Sequence, residues 1–85
     1  MQKRKKELEE LKTQKKTLVL FESPHRIMST LEDIAIIMGD RTMVLARELT
    51  KAHEEIKKGT ITGIIEYLNE GEKRGEFTIL IQGRT

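Results

Sequence analysis

The sequence predicts an α/β fold, a small mixed sheet of three to four strands with helices packed on it. Three observations carry that expectation. Two apolar runs of strand length, "TLVLFE" (17–22) and "RTMVLARE" (41–48), are separated by a stretch with apolar residues at helical spacing. A third apolar run, "EFTILIQ" (76–82), follows a second helical stretch and a turn. The order strand, helix, strand at 17–48 reads as a βαβ unit, whose two strands are expected to be parallel with a right-handed crossover.

Each element has its own reason. The opening "MQKRKKELEELKTQKK" (1–16) carries Leu8 and Leu11 as its only apolar residues after Met1, with Glu7/Leu11 and Glu9/Thr13 at i,i+4 spacing. It reads as a charged helix or connector with a narrow apolar stripe. "TLVLFE" is apolar on both faces, the pattern of a strand buried on both sides. Ser23-Pro24 gives a helix start, Ser as N-cap and Pro at the first helical position. Ile27, Leu31, Ile34 and Met38 then share one helix face, and Gly39 stands at the C-terminal cap. "LTKAHEEIKKGT" (49–60) is polar, with Ile56 as its main apolar residue, and reads as a loop with a short edge strand near 54–57. Thr60 caps a last helix with Ile61, Ile64, Ile65 and Leu68 inward, and "NEGEKRG" turns into the final strand.

Composition narrows the function. Eighty-five residues make one small domain at most, with a modest core. With one Tyr, two Phe and no Trp, that core is aliphatic. Having no Cys, the chain has no disulfide, thiolate nucleophile or Cys-based metal site, and two His are too few for a His-based one, so no metal is expected. No apolar run reaches the length of a membrane span, and no apolar segment of signal-peptide type follows the basic start, which places the chain in the cytoplasm. Net charge is only +2, but "QKRKK" and "KTQKK" concentrate the cations in the first residues, a pattern of solvated helix or of polyanion contact.

The βαβ reading also places chemistry. In parallel strands the carboxyl ends, Glu22 and Arg47-Glu48, lie at one edge of the sheet, together with the start of the intervening helix at His25-Arg26. Open α/β sheets bind ligands at that edge. A helix N-terminus disfavours cations, so a His and an Arg there need an explanation. Either Arg26 and Arg47 pair with Glu22 and Glu48, or the cations are held for an external anion or polar ligand. The chain contains no G-x-S-x-G, P-loop or G-x-G-x-x-G. His25 reads as a contact residue rather than a general base, and His53 as a loop residue. Thr50 presents a hydroxyl beside the same edge. From the residues alone the reading stops at a small α/β module with a polar, ligand-capable edge.

The ordered string "FESPHR", then "GDRTMVLARELTKAHEE", "KKGT" and "RGEFTILI" resembles the C-terminal part of the bacterial 16S ribosomal RNA cytidine 2′-O-ribose methyltransferases, of the tetrapyrrole methylase superfamily. The resemblance runs from about 17 to 83. It implies that 17–85 is the C-terminal α/β subdomain of a larger two-subdomain enzyme. The missing N-terminal subdomain would supply a glycine-containing motif for S-adenosylmethionine, and the complete protein would be a homodimer. The implied reaction is methyl transfer from that cofactor to a ribose 2′-hydroxyl of 16S rRNA in the small ribosomal subunit, without a metal. By matching motif, Ala46, Arg47, Glu48, Leu49 and Thr50 would lie near the adenosine of the cofactor. Ser23, Pro24, His25 and Arg26 would line the cleft toward RNA. The resemblance identifies no catalytic base; the missing half would supply one, or Glu22 or Glu48 would orient the nucleophile. The isolated chain, lacking the glycine-rich half, is expected to be inactive. Two other readings remain, a tetrapyrrole-precursor methylase fragment and a stand-alone RNA-binding or adaptor module using the basic helix.

Overall fold

The computed structural model describes residues 2–50, 53–71 and 75–83. Its elements follow in the order α1 (Gln2–Leu11), β1 (Leu18–Glu22), α2 (Ile27–Met38), β2 (Thr42–Thr50), β3 (His53–Thr60), α3 (Ile61–Asn69) and β4 (Glu76–Ile81). The strands form one sheet in the order β1-β4-β2-β3, and each of the three pairings is antiparallel.

The topology revises the expected βαβ unit. β1 and β2 do run in the same direction, but β4 lies between them, antiparallel to both. An apolar run marks a strand, not its place in the sheet or which neighbour it takes. Here the last strand supplies the ladder that two adjacent parallel strands were expected to share. β1 is consequently an edge strand. It is not buried on both faces: Val19 is 51% exposed and Phe21 78%.

All three helices contribute to one core against a single face of the sheet. That face presents Phe77, Ile79 and Ile81 of β4 with Met43 and Leu45 of β2, each 1% exposed or less. Ile27, Leu31, Ile34 and Met38 of α2 and Ile61, Ile64 and Leu68 of α3 close over it. Leu8 of α1, 3% exposed, joins the same cluster, so the charged first helix is docked through its stripe.

The ends of the helices follow local chemistry. Thr60 caps α3, its hydroxyl accepting from Gly63 N–H at 3.2 Å. Asp40 adds to that cap by accepting from the Thr62 N–H and hydroxyl at 2.9 and 2.8 Å, which holds its carboxyl below the usual range. Gly39 ends α2 with a positive φ of 85°, its N–H donating to Ala35 O. α2 itself starts later than Ser23-Pro24 predicts. Residues 23–26 form a turn in which Arg26 and Ile27 N–H both donate to Ser23 O, and the helix begins at Ile27 with Arg26 as a cap that lends no side chain. Arg41 ties the lower end together: its guanidinium donates to Lys12 O, to Met38 O at 3.3 Å and to Gln82 O at 3.5 Å.

In the polar segment 49–60 the expected edge strand near 54–57 is present and longer, and the strand before it also reaches into the segment. β2 runs on to Thr50, with a register irregularity between Glu48 and Thr50, and β3 begins at His53. β3 is the other edge of the sheet and is largely solvated, so its sequence carries Glu and Lys where a central strand would carry Ile or Val.

Candidate functional site

The register places the expected edge residues on one level. Phe77 of β4 pairs with Glu22 on one side and Arg47 on the other, and Arg47 pairs with Glu55 of β3. Glu22, Phe77, Arg47 and Glu55 thus make a row across the helix-covered face, and the turn 23–26 leaves from its β1 end. The carboxyl ends of β1 and β2 do share an edge, as expected. Because β4 separates the two strands, Glu22 and Arg47 stand two strand spacings apart, about 10 Å.

The ion pairs differ from the expected set. Glu22 serves the start of α2. It accepts from the Thr30 hydroxyl at 2.7 Å and from Ser23 N–H at 3.2 Å, placing a carboxylate at the positive helix end. Arg47, 9% exposed, donates to Glu55 at 2.5 Å and lies 5.6 Å from the centre of the Phe77 ring. Tyr67 of α3 donates its hydroxyl to the other Glu55 oxygen, and Lys57 sits 4.9 Å over the Tyr67 ring. These bonds hold the Glu55 carboxyl below its ordinary pKa, the Tyr67 hydrogen bond first and Arg47 second, while the same bond and burial raise that of Tyr67.

Strand alternation divides the expected cofactor residues between two faces. Arg47 points into the helix-covered side. Ala46 and Glu48 point to the opposite side, where Glu48 pairs in register with Glu76 and Glu54. Ala46, Glu48, Glu54, Ile56, Glu76 and Thr78 border a shallow depression of about 190 Å³ at this edge. That is below the roughly 300 Å³ at which small-molecule sites begin. The backbone of Leu49 and Thr50 belongs to β2, and their side chains lie outside the described residues, as do Lys51 and Ala52. Among the described residues no group of three or more His, Asp or Glu is placed to hold a metal ion. No described helix is long and apolar enough to cross a membrane.

Ser23 and Pro24 are half-buried in the turn, and His25 and Arg26 are exposed on it. Among the described residues neither the His25 nor the Arg26 side chain has a hydrogen bond or ion pair. Among the described residues Arg26 therefore has no carboxylate partner, while Arg47 has Glu55. Glu55 and Tyr67 escaped the sequence reading. Recognising 53–60 as a strand antiparallel to β2 would set Arg47 opposite Glu55.

No protein-family model matches the chain. Curated proteins do. The protein named "Ribosomal RNA small subunit methyltransferase I" in Bacillus subtilis is 46% identical over 80 residues, which is 94% of this chain and 27% of the relative. Its namesake in Halalkalibacterium halodurans is 41% identical over 80 residues, 94% of this chain and 28% of the relative. That of Thermotoga maritima is 40% identical over 81 residues, 95% and 36%. The chain spans about a third or less of the length of these relatives. The similarity read from "FESPHR" and "RELTKAHEE" is thereby borne out.

Proposed function

We propose that this chain, a homologue of a segment of the ribosomal RNA small subunit methyltransferase I proteins, is one wall of the active cleft of an S-adenosylmethionine-dependent ribosomal RNA methyltransferase. Its transfer would go to a ribose 2′-hydroxyl of 16S rRNA. In this reading residues 17–85 are the C-terminal subdomain of a longer, homodimeric, cytoplasmic enzyme, and 1–16 leads into it. The observation that carries the proposal is the edge itself. The carboxyl ends of β1 and β2 and the turn into α2 share it, with His25 and Arg26 exposed on that turn and Glu48, Glu54 and Glu76 in one register row of the sheet.

The residues fit the cofactor. Ribose hydroxyls and a cationic sulfonium call for carboxylate acceptors, and an adenine ring calls for a small apolar wall. Glu48, Glu54 and Glu76 supply the first, and Ala46, Ile56 and Thr78 the second. When bound, the cofactor supplies an electrophilic methyl group. The chain's own contribution is binding and orientation. Arg47 is held by Glu55 and Tyr67 and is a positioning residue, fixing β2 against β3 and α3 so that Ala46 and Glu48 face the cleft. Glu22 holds the turn 23–26 through Ser23 and Thr30, and that turn presents His25 and Arg26 to phosphate or ribose. A wall with so shallow a depression encloses no cofactor, which accounts for expected inactivity of the isolated chain.

The test uses a chimera in which this chain replaces the 80 matched residues of the B. subtilis relative. Arg26→Ala in that chimera should lower methyl incorporation into small ribosomal subunits by about tenfold, the loss of one or two charge-assisted contacts. Thermal stability should be unchanged. Full activity of Arg26→Ala would remove Arg26 from the RNA contact.

A further inference from the structure

Of the three Phe and Tyr residues, Phe77 is in the core and Tyr67 is engaged by Glu55 and Lys57, whereas Phe21 is 78% exposed. It stands on β1, an edge strand, on the sheet face away from the helices, with Val19 beside it on the same side. Basic residues flank this strand at both ends. Lys15 and Lys16 lead into it and His25 and Arg26 follow it, all four exposed. The strand's own carboxylate, Glu22, is turned to the helix side, where it is bonded to Thr30 and Ser23. Cations that track a phosphate backbone, with an aromatic ring between them on which a base can stack, are the equipment of single-stranded nucleic-acid sites. We propose that β1 is a track for an unpaired stretch of RNA, with Phe21 stacking on a base and Lys15, Lys16 and Arg26 contacting phosphates to either side of it.

Size and charge fit that occupant. β1 is five residues long, about 17 Å. Stacked nucleotides advance about 3.4 Å each, so the track holds on the order of five, within the roughly 4–16 of known single-strand sites. A base inside a duplex offers its edges but not its faces, so a protruding ring selects unpaired nucleotides. The charge of the chain is concentrated where the track begins: residues 1–16 carry seven Lys and Arg against three Glu, and 17–85 carry nine against eleven acidic residues. On the open face Phe21 has Thr78 and then Ala46 beside it in register, and the next row holds Glu76, Glu48 and Glu54. Those carboxylates repel phosphate, which confines the RNA backbone to the β1 side and leaves Ala46, Glu48 and Ile56 to the proposed cofactor. The proposal deepens the reading of this chain as part of a ribosomal RNA methyltransferase, and rests on it for RNA as the partner.

Phe21→Trp supplies a probe of the track, because the chain has no Trp of its own and an indole stacked on a base loses fluorescence. In the 85-residue chain, single-stranded oligouridylate of about ten nucleotides should quench that indole, and its duplex with oligoadenylate should not. The same contrast is expected in the B. subtilis chimera carrying the substitution. Phe21→Leu keeps the apolar bulk and removes the ring. It should weaken binding of labelled oligouridylate about tenfold, read by fluorescence anisotropy, with the melting temperature unchanged. Lys15→Ala combined with Lys16→Ala should reduce the slope of log affinity against log salt by about 1.4, at about 0.7 for each lost phosphate contact. Equal binding by Phe21→Leu and the wild type would overturn the proposal, as would quenching by the duplex as strong as by the single strand. A chimera indole that is shielded before RNA is added and indifferent to it would assign Phe21 to a protein contact and overturn it equally. Methyl transfer by the chimera is scored separately. Ring-dependent RNA binding by a chimera that transfers no methyl would sink the proposed activity and leave the track standing, and methyl transfer with RNA binding indifferent to Phe21→Leu would do the reverse.

Discussion

The two faces of the sheet are built from the same four strands and both carry apolar residues, yet only one is a core. Phe77, Ile79 and Ile81 are buried under α2 and α3, while Val19, Phe21 and Ile56 on the reverse are half to three-quarters exposed. The difference teaches that an apolar strand records what a residue is shaped to touch, not whether the partner is in the same stretch of chain. It also separates residues that hold the fold from residues held ready for something else.

Substitutions should divide along the same line. The largest effect is expected on the covered face. Phe77→Ala should cost about 3–4 kcal/mol in urea unfolding, through lost burial and the cavity left, whereas Phe21→Ala should cost less than about 0.5 kcal/mol in the isolated chain. Comparable losses at both positions would abolish the distinction. Next comes the turn before β4. Gly75 has a φ of 96°, and a Cβ there would stand 2.5 Å from Glu48 O. Gly75→Ala should therefore cost about 2 kcal/mol or more, since left-handed strain and a backbone clash add. It would show as a lower urea midpoint with an unchanged slope.

Smaller still is the Arg47–Glu55–Tyr67 network, because Glu55 is partly solvated. Glu55→Gln should cost about 1–2 kcal/mol at neutral pH. The pH dependence gives the sharper test. The Glu55 carboxyl has a lowered pKa in the fold, so its contribution is present above the ordinary carboxylate pKa and fades as pH falls through that range toward the folded value. Stability of the wild-type chain measured from pH 7 to pH 3 should fall more steeply than that of Glu55→Gln. Parallel curves would mean that Glu55 contributes nothing through its charge. Least of all, Arg26→Ala should leave stability within about 0.5 kcal/mol, as for any exposed position without a partner.

What the sequence discloses follows from which forces act locally. The α2 stripe of Ile27, Leu31, Ile34 and Met38 was legible because helical period and burial coincide, and Thr60 because its capping bond closes within three residues. The convergence of Glu22, His25, Arg26 and Arg47-Glu48 at one edge was legible too, since β1 and β2 do share a direction. Their separation by β4 was not, because an antiparallel partner far along the chain leaves no mark on either strand. β3 is legible only as a short edge strand near 54–57, because edge strands are made soluble with Lys and Glu. Its full length and its register with β2 are not, which hides the Arg47–Glu55 pair and, with it, the fact that Arg47 is bound inward while His25 and Arg26 are exposed.

The central claim is that the chain supplies one half of a cleft whose chemistry needs the other half. The most direct measurement is transfer of labelled methyl from S-adenosylmethionine to small ribosomal subunits, by the 85-residue chain and by its B. subtilis chimera side by side. The account predicts incorporation at a ribose 2′-hydroxyl with the chimera and none with the chain alone. Methylation by the chain alone, or a folded chimera that transfers nothing, would contradict it.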